Sequence, residues 1–170
     1  MIAILHNIRS LHNVGSIFRT ADAAGIEKIY LAGITPEPVD IFGRPRPQLT
    51  KVALGGEKSV PWEKFKNTAK LLEKLKNDGY KIFAIEQSKK SVPYYSKEIL
   101  RGVYTERSRS VQNDKKIALV VGNEVKGLSP AILKKANKIL EIPMHGKKES
   151  LNVAVAFGIV VFRLIHPAHE

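Results

Sequence analysis

The apolar residues of this chain fall into two rhythms that alternate along its length, and that alternation restricts the fold more than any other feature. Short β-rich runs, "MIAILH", "EKIYLAG", "YKIFAIEQS", "KKIALVVGNE" and "LEIPM", are separated by longer amphipathic stretches. Strands alternating with helices predict an α/β domain built on a parallel sheet with helices packed over it. "KKIALVVGNE" is the clearest buried strand. At 170 residues the chain is long enough for one such domain with a real core and short for two, so residues 1–170 read as a single domain.

Local signals place the elements between the strands. "SIFRTADAA", residues 16–24, reads as a helix closed by Gly25. Residues 35–60 carry Pro36, Pro38, Pro45 and Pro47 together with Arg44, Arg46 and Lys51, with Pro61 adjacent, and read as a long loop of the kind that is often functional. A helix is expected from Pro61 to Gly79, with Phe65, Ala69, Leu72 and Lys76 along one side. Residues 89–116 predict a short helix and a basic loop. Ser129 and Pro130 open a helix over "AILKKANKIL", and the last helix follows Ser150, a candidate N-cap.

Charge narrows the partners. Lys and Arg number 28 against 16 Asp and Glu, a formal net charge of +12 and a pI of about 9.9. Such an excess favours a polyanion, because basic side chains release counterions from phosphate backbones and steer encounter. Nucleic acid leads, an anionic membrane surface follows, and solubility alone also explains the charge. The chain has no cysteine, which excludes disulfides, Cys-based zinc sites and a thiol nucleophile, and suits the cytoplasm. "MIAILHNIRS" is too short for a signal-peptide core. The apolar run from Leu151 to Ile165 is broken by Asn152, Gly158 and Arg163, and falls short of the roughly 20 residues a bilayer span needs. His6, His12, His145, His166 and His169 lack a ligand spacing, so no metal site is expected.

Three glycine-containing strand-to-helix junctions gather the polar residues: "HNVGSIFRTADAAG", "VVGNEVKGLSP" and "IPMHGKKESLNV". In open α/β sheets ligands bind beyond the carboxyl ends of the strands, where such loops converge. The middle loop has neither GxGxxG spacing nor a GK[ST] ending, and Glu124 would repel a phosphate. A ligand with a positive centre suits that loop, and a plain turn with a solvated Glu124 also accounts for it. Arg19, on a helix of largely apolar neighbours, needs a partner for its charge, either Asp22 nearby or a ligand. A serine-hydrolase elbow, GxSxG, is absent.

Taken together, the three stretches resemble the signature motifs of the SpoU (TrmH-type) branch of the SPOUT RNA methyltransferases, in order and from residue 7 to 163. The resemblance implies S-adenosylmethionine-dependent methyl transfer to a ribose 2′-hydroxyl in tRNA or rRNA. It also implies a parallel-sheet α/β domain with a C-terminal deep trefoil knot, against the general rarity of knots, and a homodimer.

Carried over by residue, the resemblance assigns catalytic positions to Asn13, Arg19, Glu124, Ser150 and Asn152, with Arg19 acting on the target ribose. It assigns cofactor contacts to Gly122, Ile142 and Leu151 through their backbones, to Met144, and to the strand end at Glu86. Some relatives carry an added RNA-binding domain and no such segment is recognisable here, so RNA contact is expected from Arg44, Arg46, Lys51, Arg101, Arg107, Arg109, Lys147 and Lys148. Two other classes stay open at this point: a non-catalytic RNA-binding module that keeps the fold, and a doubly wound nucleotide-binding enzyme, which the missing phosphate loops disfavour.

Overall fold

A computed structural model of the chain describes residues 1–97, 99 and 116–166. Its strands are β1 (Ile2–His6), β2 (Lys28–Ala32), β3 (Trp62–Phe65), β4 (Lys81–Ile85), β5 (Val92–Pro93), β6 (Ile117–Val121) and β7 (Lys138–Glu141). They form one sheet in the order β3-β2-β1-β6-β4-β7-β5, and every pairing in it is parallel. The helices are α1 (Leu11–Ala23), α2 (Pro47–Ala53), α3 (Gly56–Ser59), α4 (Thr68–Asn77), α5 (Pro130–Leu133) and α6 (Val153–Ile165).

The central strands are apolar without alternation because both faces are covered. Along β1, Ala3 and Leu5 join the core beneath α1 and α6, while Ile2 and Ile4 join the core beneath α4 and α5. In β6, Leu119 and Val121 face the first core and Ala118 and Val120 the second. Because all strands run the same way, every strand-to-helix loop leaves from one edge of the sheet. None of the described helices is long and apolar enough to cross a membrane.

Several local expectations are corrected. Helix α1 begins at Leu11, earlier than residue 16, because Ser10 is its N-cap and accepts from the Asn13 amide at 3.3 Å. Its end is as expected, with Gly25 at φ +65° allowing the chain to turn out. The 35–60 segment contains α2 and α3; Leu49 and Ala53 of α2 and Val60, which follows α3, enter the core. "WEKF" is a strand and not a first helical turn: Trp62 to Phe65 pair with Ile29 to Ala32 and extend the sheet. The helix starts only after Asn67, whose side chain accepts from the Lys70 amide at 3.1 Å. Helix α5 is four residues long and ends at Leu133, short of "ANKIL", whose last three residues begin β7 at Lys138. Of the 89–116 segment, residues 98 and 100–115 lie outside the described residues, and with them Arg101, Arg107 and Arg109.

Candidate functional site

The carboxyl ends of β4, β6 and β7 and the amino end of α6 enclose a cleft of about 400 Å³. Gly122, Glu124, Ile142, Met144, Leu151 and Asn152 line it, as do Asn13, Glu86 and Ser150. All three polar junctions therefore contribute to one site.

Glu124 holds the junctions together. Its carboxylate accepts from the amides of Arg9 at 3.1 Å and Ser10 at 3.0 Å, and from Asn13 Nδ2 at 3.1 Å. Asn13 Oδ1 in turn accepts from Asn152 Nδ2 at 3.0 Å, which brings in the third loop. Burial acting alone would raise the pKa of Glu124. The amides of Ser10 and Arg9 and the Asn13 side chain outweigh it and hold the group below the usual carboxylate range, so it is ionised at neutral pH. The positive end of α1 favours the same state. Glu124 remains exposed to solvent, and these contacts tie it at the same time to the first and, through Asn13, to the third junction.

A second carboxylate closes the loop from behind. Glu86 accepts from the Leu128 amide at 2.7 Å and from its own neighbour Gln87 at 3.0 Å, which commits much of its acceptor capacity to the protein. Gly122 is required sterically: a Cβ there would lie 2.7 Å from the Gly127 carbonyl carbon and 2.8 Å from Leu128 Cγ. Asn123 braces the same turn, donating to Asn7 O at 2.8 Å and accepting from the Val125 and Lys126 amides.

Other predicted residues stand differently. Asn152, not Ser150, caps α6, with its Oδ1 accepting from Ala154 at 2.9 Å and Val155 at 3.4 Å. Ser150 is exposed at the cleft and is not committed to capping. Arg19 is exposed and does not line the cleft. Six residues beyond Asn13 at 100° per residue, it projects from a face of α1 about 120° away, so it finds neither Asp22 nor a cleft acceptor among the described residues. Arg44 pairs with Asp40 at 2.9 Å, and Arg46 Nε donates to Val39 O at 3.1 Å. Lys51, Lys147 and Lys148 are exposed.

The residues missed at the sequence level are Arg9 and Ser10, whose amides grip Glu124. Ser10 sits four residues before Val14, where the apolar face Val14, Ile17, Phe18, Ala21 begins, and that spacing is a legible N-cap signal. Among the described residues no group of three or more His, Asp or Glu could hold a metal ion.

A parallel α/β sheet with a ligand cleft at its carboxyl edge, walled by three polar loops and holding an ionised carboxylate, defines an enzyme-like cofactor-binding domain. Residues 1–162 match the SpoU rRNA Methylase family, and the chain belongs to that family. It is 35% identical over 162 residues to a tRNA (guanosine(18)-2′-O)-methyltransferase of Aquifex aeolicus, covering 95% of this chain and 67% of the relative. The crystal structure of an A. aeolicus TrmH/SpoU tRNA modifying enzyme superposes with a TM-score of 0.74 at 33% identity, over 96% of this chain and 73% of that one. An AdoMet-bound rRNA methyltransferase from Sinorhizobium meliloti gives a TM-score of 0.73 at 27% identity, over 96% of this chain and 54% of that one. The chain thus spans between about half and three quarters of the length of these relatives.

Proposed function

We propose that this protein is an S-adenosylmethionine-dependent 2′-O-methyltransferase of tRNA or rRNA, acting as a homodimer in the cytoplasm with no metal in its chemistry. The observation that carries the reading is the clamp of Glu124 by Arg9, Ser10 and Asn13, an ionised carboxylate in a cleft of cofactor size. Homologues that methylate tRNA and bind AdoMet support it.

The cleft suits this cofactor on its own chemistry. Gly122, Ile142 and Leu151 line it and make no backbone hydrogen bond to other described residues, which leaves amides and carbonyls for a purine and an amino-acid moiety. Met144 and Leu151 offer apolar surface, and the ionised Glu124 favours a cation where a phosphate would be repelled. When bound, S-adenosylmethionine supplies an electrophilic methyl group on a sulfonium.

The chain's own groups do the rest by positioning and electrostatics. Asn13, Ser150 and Asn152 present amide and hydroxyl groups at the cleft to orient the ribose. Arg19 holds the neighbouring phosphate and favours the developing alkoxide. A guanidinium does not readily give up its proton, so the hydroxyl proton passes to phosphate or water. Because Arg19 does not line its own cleft, this role needs the dimer to carry it to a cleft across the interface.

An apolar stripe on α6 supports that dimer: Val155 and Phe162 are 51% and 40% exposed, and the intervening Ile159 is half-buried. Nearby, Arg163 Nε is buried with no partner among the described residues. The deep trefoil knot is part of the same reading. In its support, β6 enters between β1 and β4, β7 lies beyond β4, and the following loop returns to Asn13.

The deciding experiment is transfer of labelled methyl from S-adenosylmethionine to hypomodified tRNA and rRNA pools, with mapping of 2′-O-methyl positions. Label in ribose is the expected result. A protein that binds RNA and cofactor yet labels no pool would support the non-catalytic module instead.

A further inference from the structure

The loop joining β2 to α2 contains a feature that neither the core nor the cleft uses. Val39 and Pro45 form an antiparallel bridge, and the turn between them exposes Ile41 and Phe42 to 89% and 73%. An exposed phenylalanine on a floppy loop would mean little, but this loop is built. Asp40 Oδ1 accepts from the amides of Phe42 and Arg44 at 2.9 Å each, and Asp40 Oδ2 accepts from Arg44 Nε at 2.9 Å. The Arg44 guanidinium carbon lies 4.8 Å from the Phe42 ring centroid, and Arg46 is tied to Val39 O. The ring is therefore presented on a fixed support, with Arg44 against it and much of its surface still open.

Position adds to this. All strands are parallel, so the loop leaves β2 at the same sheet edge as the cleft, and β2 lies two strands from β6, about 10 Å at the usual strand spacing. An aromatic ring with guanidinium groups beside it is the chemistry that stacks a base and meets its phosphates. A second copy of this chain seated here through the same loop would set Arg44 and Arg46 against their own counterparts, and suits this surface poorly.

We propose that residues 39–46 are a stacking platform for an unpaired nucleobase of the RNA substrate, with Phe42 under the base and Arg44 and Arg46 on the adjoining phosphates. The inference rests on the RNA-methyltransferase reading and adds to it a preference for looped or single-stranded RNA near the modified nucleotide. Paired A-form RNA keeps its bases stacked and offers no face to the ring.

The test measures binding of an RNA hairpin carrying 2-aminopurine in its loop, and of a blunt duplex of equal length, to the full chain. Phe42→Ala and Phe42→Leu are expected to weaken hairpin binding by roughly five- to a hundredfold, as loss of one base–aromatic stack does, and to leave duplex binding unchanged. Phe42→Trp is expected to keep hairpin affinity. S-adenosylmethionine binding by calorimetry should be the same in all variants, which shows that they fold. Hairpin affinity within about twofold of wild type in Phe42→Ala would overturn the platform, as would equal losses on both RNAs or a change in sedimentation mass showing a contact between copies. If wild type transfers methyl to RNA while Phe42→Ala is neutral, only the platform fails. If wild type neither binds nor methylates RNA, the functional reading fails with it.

Discussion

Asn13 Nδ2 meets the Glu124 carboxylate at 3.1 Å across 111 positions of sequence, and through Asn13 Oδ1 the contact continues to Asn152. This short chain of hydrogen bonds joins the three loops that wall the cleft. Loss of any link should therefore be felt at the cleft before it is felt in the core.

Glu124→Gln keeps the shape and removes the charge, and its amide group competes with the donors of Arg9, Ser10 and Asn13. Hydrogen bonds to charged groups are worth about 1.5–3 kcal/mol when sheltered, and the partial exposure here places this set at the lower end. Methyl transfer is expected to fall about tenfold or more, read from initial rates at saturating RNA. Unchanged rates would remove Glu124 from the site.

Asn152 and Ser150 separate capping from chemistry. Asn152→Ala loses the cap of α6 and should cost about 0.5–2 kcal/mol, a drop in Tm of a few degrees for a domain of this size. Ser150→Ala should leave Tm unchanged and lower methyl transfer. Thermal unfolding of both variants checks the assignment, and an equal fall in Tm for Ser150→Ala would contradict it.

Gly122→Ala places a methyl group 2.7 Å from the Gly127 backbone. Overpacking of this kind costs about 1–3 kcal/mol, and here it displaces the turn that walls the cleft. Calorimetry is expected to show weakened S-adenosylmethionine binding; wild-type affinity would mean that the turn is not part of the cofactor site.

His6 gives the protein an acid limit. Its Nδ1 lies 2.7 Å from Thr68 Oγ1 and its Nε2 accepts from Asn7 Nδ2 at 3.1 Å, a pattern that requires the neutral ring. Burial lowers its pKa from the model-peptide 6.5. The folded state thus binds fewer protons than the unfolded state, so stability is full above pH 6.5 and is lost as pH falls through the folded pKa. Tm should decline between pH 7.5 and 5 in wild type and decline less in His6→Gln; parallel curves would exclude His6 as the cause.

Phe162→Glu and Val155→Glu put charge on the exposed stripe of α6. Sedimentation is expected to show monomers, with methyl transfer lost if Arg19 acts across the interface. A wild-type monomer would sink the dimer and the proposed role of Arg19 together.

Much of this protein is local and therefore legible in its sequence. The buried strands announce themselves because both faces of a covered parallel sheet want apolar side chains, and Gly25 ends α1 because the turn needs positive φ. The three junctions could be recognised as one site because parallel strands send such loops to a common edge. Non-local pairing decided the rest. "WEKF" became a strand only because β2 offered an edge to pair with, and α5 stopped early because β4 took up the segment after it. Glu124, indistinguishable in sequence from a solvated turn residue, was committed by the adjacency of β1 and β6, which sets the Arg9 and Ser10 amides against it. Arg19 shows the converse: its residue type was plain, but the phase of α1 turns it away from the cleft, and no local pattern records what lies across a helix.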